Sequence, residues 1–422
     1  MRAVVPAPDL QPVVLGGDIG AYSVARAFHE AYGVRAVVVS SVATGVVRHS
    51  TILDNVVEPG IDDPRTAVAR LRAIASQHPG KRLLLLGSAD WLVRTIVENR
   101  AELEDLYVIP YVDRATLDLV TDKENFGRLC GELGLGHPAT VVHDVGAGGV
   151  PDTSGLRFPV IAKTGNTAAY HHVEFPGKKK VFTGDTPAEL ADLMGRVRAA
   201  GYTDSFVIQD FIPGDDSGMR ILTCYCDTAG RMRFASFGHV LLEEHTPGAL
   251  GNPAGIITRD DAEIVEQARR LLEHIGWRGY ANFDLKYDPR DGRTVFFELN
   301  PRLGRSNFYI TAAGRNTTEL YVRERIQGLD PMPPGAPERL ADEHLYTVLP
   351  RLLLLRYVAD RALRARARRL FRTHRATNPL WYPAERDPRR IAYLVAAQLN
   401  QFRKYATHYP PPPRSAEPSR SR

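Results

Sequence analysis

Nowhere in the 422 residues do 18 apolar side chains run together, so no transmembrane helix is expected. The first fifteen residues hold one Arg and no apolar core followed by a cleavage site, so no secretory leader is expected. Three cysteines are too few for a disulfide framework. Cys224 and Cys226 stand two apart in a strand pattern, with no second Cys or His pair at metal spacing nearby. They read as reduced packing residues, and the expected location is the cytoplasm. The turn Gly16-Gly17-Asp18-Ile19-Gly20 lacks the spacing of a dinucleotide-binding glycine fingerprint. No aromatic stacking platform accompanies the arginines of the C-terminal region, so nucleic acid is not an expected partner.

The length allows two or three domains with substantial cores. The net charge of +5 is unevenly spread. From Arg351 onward there are 17 Lys or Arg against 4 Asp or Glu. Taking that excess of 13 from the total leaves the preceding 350 residues at −8. Basic character belongs to the C-terminal extension and not to the body. Within it, Arg351–Arg375 carries nine Arg and one acid. This stretch reads either as a helix on an anionic membrane surface or lipid-linked substrate, or as a solvated helix packed on the body.

The most informative stretch is residues 280–307. Ala281–Tyr287 alternates small or apolar residues with polar ones, Asp288–Gly292 is a Pro- and Gly-containing turn, and Thr294–Leu299 is β-branched and aromatic. This is a predicted β-hairpin. Asp284 lies on its first strand. Glu298 and Asn300, two apart on the second, share a face. Three hard oxygen donors on adjacent strands suit Mg²⁺ with positions left for phosphate oxygens. Arg302 follows as a candidate clamp for a developing anion. Arg305, Ser306 and Asn307 form a polar segment beside that site and are candidate substrate contacts.

Upstream, a strand at Gln11–Gly16, a helix at Tyr22–Tyr32 and a strand at Arg35–Val39 begin a parallel α/β sheet. A helix at Thr66–Gln77, a strand at Arg82–Leu86, a helix at Trp91–Asn99 and a strand at Tyr107–Ile109 extend it. A new domain is expected near Asp113, with a helix capped by Thr121. Phe158–Lys163 is an apolar strand closed by a lysine, and burying an ammonium is costly without an anionic partner. Thr164–His172 reads as a mobile loop and Ser205–Gly214 as a strand leading into a linker. Arg220, at the start of a strand, is a second candidate anion clamp. Asp260–Ile275 has helical apolar spacing.

Taken in order, Lys123, Lys163, the Gln209–Ile212 linker, Asp284 and Glu298-Leu299-Asn300-Pro301-Arg302 resemble the ATP-grasp superfamily. The longer runs Phe283–Asp288 and Phe297–Asn307, with Asn378–Tyr382, are similar to the D-aspartate ligase type of carboxylate–amine ligase. The resemblance covers most of residues 10–405. It implies an α/β and α+β chain with an ATP-grasp fold, preceded by a parallel α/β domain and followed by a basic helical extension. The expected divisions are 1–112, 113–205, 206–330 and 331–422, the last ending in a disordered tail.

The resemblance further implies ATP and Mg²⁺ (two ions, or Mn²⁺ in its place) held by Asp284, Glu298 and Asn300. Lys123 and Lys163 would face the phosphates. Gln209, Phe211 and Ile212 would meet the adenine, with Asp216 near ribose or substrate. Gly17, Asp18 and the segment Gly87–Asp90 would serve the substrate side, and Arg302, Arg220 and Lys163 the chemistry. The implied partners are a small-molecule carboxylate, D-aspartate-like, and an amine acceptor, in the family a peptidoglycan precursor. The alternatives are the same chemistry in small-peptide or natural-product synthesis, and a non-catalytic nucleotide-binding scaffold at the inner face of the membrane.

Overall fold

The computed structural model describes residues 7, 9–165, 170, 173–179 and 181–410. Much of the expected loop at 164–172, together with Lys180 and residues 411–422, lies outside them. The N-terminal part alternates strands and helices. Leu10–Leu15 (β1), Ala36–Ser40 (β2), Leu53–Val57 (β3), Arg82–Gly87 (β4) and Tyr107–Val108 (β5) form one parallel sheet in the order β3-β2-β1-β4-β5. Helices Ile19–Tyr32 (α1), Pro64–Gln77 (α2), Asp90–Glu98 (α3) and the short Arg100–Leu103 (α4) connect them.

β1, β2 and β4 are almost wholly apolar and buried, as strands covered on both faces must be. The strand order reverses between β1 and β4. Ligands of open parallel sheets gather at such a switch point, beyond the strands' carboxyl ends. Here those ends are Gly16–Asp18 and Ser88–Asp90. Gly16 has a φ of +122°, and a Cβ there would lie 1.9 Å from Ser88 Oγ. Only glycine lets the two turns meet this closely.

Arg114–Thr121 (α5) and Lys123–Glu132 (α6) follow. The cap of α6 is Asp122, which accepts from Asn125 N, and not Thr121. Thr121 instead closes α5 and bonds Leu117 O. A four-stranded sheet comes next, in the order β6-β9-β7-β8: Thr140–Asp144 (β6), Val160–Thr164 (β7), Val181–Gly184 (β8) and Ser205–Asp210 (β9). Pro187–Ala199 (α7) packs on it. This unit has its own core, around Phe182, Leu193, Val197, Tyr202 and Phe206. The expected division at 205/206 would cut the chain at the start of β9. We propose that the division falls after Asp210.

The large sheet is antiparallel for most of its width. Met219–Cys226 (β10), Met232–Glu243 (β11), Pro253–Arg259 (β12), Gly279–Asp288 (β13) and Arg293–Asn300 (β14) run in the order β14-β13-β10-β11-β12. Ala262–His274 (α8) covers it, burying Ile264, Val265, Ala268, Leu271 and Leu272 at helical spacing. Helices Phe308–Ala312 (α9) and Thr317–Tyr321 (α10) carry the chain back against α1. Glu338–Arg339 (β15), Leu345–Thr347 (β16) and Ala376–Thr377 (β17) then join the sheet. The extension therefore begins as part of the body.

Helices Arg351–Tyr357 (α11), Arg361–Arg372 (α12) and Pro388–His408 (α13) follow. They bury Leu353, Leu354, Ala367, Leu370, Leu394 and Tyr405 in the main core. Several of the arginines are engaged by the body, for Arg366 and Arg369 both pair with Glu343. Among the described residues, no helix is long and apolar enough to cross a membrane.

Candidate active site

The hairpin forms as its sequence pattern requires, with β13 and β14 antiparallel. Its register pairs Asp284 with Glu298 and Asn282 with Asn300. Directly opposed residues share a face of the sheet, so both carboxylates and the amide converge. Asn300 Nδ2 donates to Asp284 Oδ2 at 3.0 Å. Gly304 lies against Asn282, where a Cβ would come within 2.8 Å of Asn282 Oδ1. That close approach folds the Arg302–Asn307 segment back over the strand ends.

Two like charges side by side cannot both ionise cheaply. Burial pushes the Asp284 carboxyl well above its usual range, and the charge and hydrogen bond of Glu298 push it further, with Arg302 and Asn300 opposing. Burial acts the same way on Glu298. There, however, Lys123, the Asp284 hydrogen bond and Lys163 outweigh it and hold the carboxyl below its usual range. Asp284 is thus shifted toward its neutral form where a cation fits. Among the described residues, no three His, Cys, Asp or Glu side chains converge. The set here is two carboxylates and an amide oxygen, which suits a Mg²⁺ or Mn²⁺ ion that completes its shell with phosphate oxygens and water.

Both lysines singled out from the sequence reach this group. Lys123 Nζ lies 3.5 Å from Glu298 Oε2. The two side chains are 36% and 45% exposed, so the contact contributes little stability and matters for local charge. Lys163 stands one residue before the end of β7 in the four-stranded sheet. Burial and the neighbouring Lys123 ammonium depress its pKa, with Glu298 opposing. Two mutually repelling ammoniums beside two carboxylates suit a polyanion bound together with a divalent cation.

Arg302 donates from Nη2 to Asn300 Oδ1 at 3.3 Å and to Asp90 Oδ2 at 2.9 Å. Asp90 begins α3 at the switch point, 212 residues away in sequence. Arg302 Nε and Asp90 Oδ1 are buried without hydrogen-bond partners, as are Ser306 Oγ and Asn307 Oδ1. Such atoms also occur away from the hairpin, at Ser236, Tyr346 and Arg390 among others, so here they count only together with the opposed carboxylates. Asn307 Nδ2 is spent on the carbonyls of Gly20 and Gly304, so it positions the segment.

Arg220 belongs elsewhere, which corrects its pairing with Arg302. It is opposite Leu285 in the β10–β13 register, so it lies on the other face from Asp284. Its guanidinium donates to Ser217 O and Met219 O and sits 6.0 Å from the Tyr287 ring centroid. Burial and nearby Arg259 lower its pKa to about 10.

In the linker, Gln209 is buried and donates to Thr140 Oγ1, and Ile212 is buried too. Their side chains face inward, and of the three residues expected at the adenine only Phe211 is partly exposed. Lys286 Nζ lies 5.6 Å from the Phe211 ring centroid. Asp216 accepts from Glu243 N and faces His245 Nε2 at 2.8 Å. Glu243 beside it is pushed up to about 7 by burial and by Asp216.

On the substrate side, Gly17 and Asp18 line a cleft of about 800 Å³ with Arg305. Asp18 Oδ1 caps α1 by accepting from Ala21 N. Arg305 pairs with Glu244 at 2.5 Å and approaches Asp18 at 3.8 Å. Asp90 is expected only as part of the substrate-side turn at 87–90 and Glu244 not at all, because each meets its arginine only through the tertiary fold.

A search against family models found no match. Among curated proteins, the D-aspartate ligase of Enterococcus faecium is 32% identical over 404 residues, spanning 93% of this chain and 96% of that protein. Among solved structures, L-amino acid ligase from Bacillus licheniformis aligns with a TM-score of 0.51 at 17% identity, over 75% of this chain and 73% of the other. A biotin carboxylase–beta-gamma-ATP complex from Campylobacter jejuni aligns at 0.57 and 12%, over 79% and 74%. At such identities the two structures speak for the fold alone.

Proposed function

The chain belongs to the D-aspartate ligase family and has the ATP-grasp fold, and from that premise we propose that it is an ADP-forming carboxylate–amine ligase whose acid is aspartate-like. The observation that carries the reading is the opposed pair Asp284 and Glu298 with Asn300, faced by Lys123, Lys163 and Arg302. The donor set fits Mg²⁺, since two opposed carboxylates and an amide oxygen are hard donors whose mutual repulsion a divalent cation would relieve. Asp284, Glu298 and Asn300 would hold the ion, and its contribution when bound is to neutralise the β- and γ-phosphates of ATP.

The chain's own residues then act by position and charge. Lys123 and Lys163 align the phosphates. The substrate carboxylate attacks the γ-phosphorus, the bond to the β-phosphate oxygen breaks, and ADP leaves an acyl phosphate. Arg302, held by Asp90, faces the negative charge of that intermediate. An amine attacks the acyl carbon, phosphate departs, and the new ammonium releases a proton. Catalysis by positioning needs no side-chain nucleophile. The name of the Enterococcus relative supports D-aspartate as the acid. An amine of a peptidoglycan precursor is the proposed acceptor, with the cytoplasm as setting.

The test is ADP release with Mg·ATP across D- and L-amino acids, with and without a lysine-containing muropeptide. Release needing D-aspartate and acceptor together supports the full reading. Release with another acid keeps the chemistry and discards the named acid, and release with no pair overturns the ligase. Peripheral contact between Arg351–Arg375 and anionic lipid is a separate proposal, supported by the arginines of α11 and α12. Salt-insensitive failure to sediment with anionic vesicles would overturn it.

A further inference from the structure

The cleft beside Arg305 is larger than the proposed acid requires. About 800 Å³ suits a drug-sized or peptide-sized occupant. One side is the switch point of the parallel sheet. The opposite wall is α13, from the C-terminal extension. Its residues Tyr393, Ala397, Asn400 and Lys404 all line the cleft, and their spacing of four, three and four sets them in one stripe along the helix. Over eleven residues such a stripe is ~16 Å long, the span of roughly five extended residues at ~3.3 Å each.

Both ends of this wall are fixed. Near one end Tyr405 Oη donates to Glu243 O at 2.5 Å, next in sequence to Glu244. At the other, the Tyr393 ring lies over Gly45, where a Cβ would come within 2.1 Å of it. The start of the helix is locked to the N-terminal sheet, for the side chains of Arg390 and Glu385 are 0% and 3% exposed and 3.2 Å apart.

The cleft's charges are mixed. Asp18 and Glu244 stand against Arg305 and Lys404, which suits an occupant bearing both ammonium and carboxylate groups. Trp91, 48% exposed and lining the cleft, offers an apolar surface. It follows Asp90, the partner of Arg302, so the cleft opens beside the proposed acyl site.

We propose that this cleft binds a peptide carrying the acceptor amine, and that α13 is the wall that selects it. The proposal rests on the carboxylate–amine ligase reading. Its test compares two nucleophiles in the full-length protein: a synthetic pentapeptide with a lysine side-chain amine and a free C-terminus, and hydroxylamine, which needs no cleft. Lys404→Glu reverses a charge on the wall, and Ala397→Trp fills the space.

The expected result is a fall of at least tenfold in the ratio of peptide transfer to hydroxamate formation in each variant, with KM for the pentapeptide raised. An unchanged ratio overturns the proposal. Absence of hydroxamate in the unaltered protein with D- or L-aspartate counts against the ligase reading instead. Calorimetric binding of the pentapeptide then decides the cleft: a tenfold weaker affinity in Lys404→Glu supports it, and equal affinity or no binding overturns it.

Discussion

Two clusters of charge, one buried and one half-buried, join distant segments of this molecule, and they are built on opposite principles. In the clamp at the start of α13, Glu385 accepts from Tyr22 Oη, Ser50 Oγ, Thr51 N and Thr51 Oγ1. Arg390 pairs with it, donates to Val46 O and lies 4.4 Å from the Tyr22 ring centroid. In the hairpin, Asp284 and Glu298 oppose each other, while Arg302 and Asp90 keep buried polar atoms unsatisfied. The clamp pairs opposite charges, although Arg390 Nε and Nη2 also lack hydrogen-bond partners, whereas the hairpin sets like charges side by side. A charge cluster that the fold leaves unbalanced is where a bound cation and polyanion have work to do.

The largest expected effect is on the clamp. Glu385→Ala leaves Arg390 buried and unpaired, and should cost about 3–5 kcal/mol in denaturant unfolding. Glu385→Ala combined with Arg390→Met should recover much of that. A loss below ~1 kcal/mol for the single variant would erase the contrast with the hairpin. Next, Arg302→Lys should lower acid-dependent kcat on the order of 100-fold, because one ammonium cannot hold Asp90 and the intermediate together.

Asp284→Asn should move stability the other way. Asp284's pKa is raised in the folded chain, so between its ordinary pKa and the raised one the folded state holds a proton that the unfolded state has lost. Wild-type stability therefore falls as pH rises through that window. The variant escapes the penalty, and its metal-free thermal midpoint should exceed wild type by ~2 °C or more, with a larger gain at pH 8 than at pH 5. Midpoints that track each other across pH would remove the proposed frustration. Arg220→Lys should change kcat least, by less than about threefold on the scale where tenfold is 1.36 kcal/mol, since Arg220 faces away from the carboxylates.

The sequence made the hairpin legible because its chemistry is local: alternation, a turn and two acids that pair across it. Lys123 and Lys163 were legible as members of an ordered set. Arg220 was misjudged because a strand residue's face depends on its register against Leu285, which a single strand does not reveal. The pairing of Asp90, legible only as part of the substrate-side turn, and that of Glu244 were hidden for the same reason, each meeting its arginine across 212 or 61 residues. β3 escaped notice because Leu53-Asp54-Asn55-Val56-Val57 has no clean alternation. α7 was legible but unread: Thr186 caps it and Pro187 opens it, with Leu190, Leu193, Met194 and Val197 at helical spacing. The role of α13 as a cleft wall depends on packing through Glu385 and Arg390, and no local pattern announces it.

The central claim is that the hairpin carboxylates serve phosphoryl transfer and not stability. Its most direct test measures D-aspartate-dependent ADP release and the thermal midpoint in the same samples of wild type and Glu298→Gln. The account predicts that release falls by two orders of magnitude or more while the midpoint holds or rises. Near-normal release in a folded variant, or loss of release only alongside loss of the fold, would contradict it.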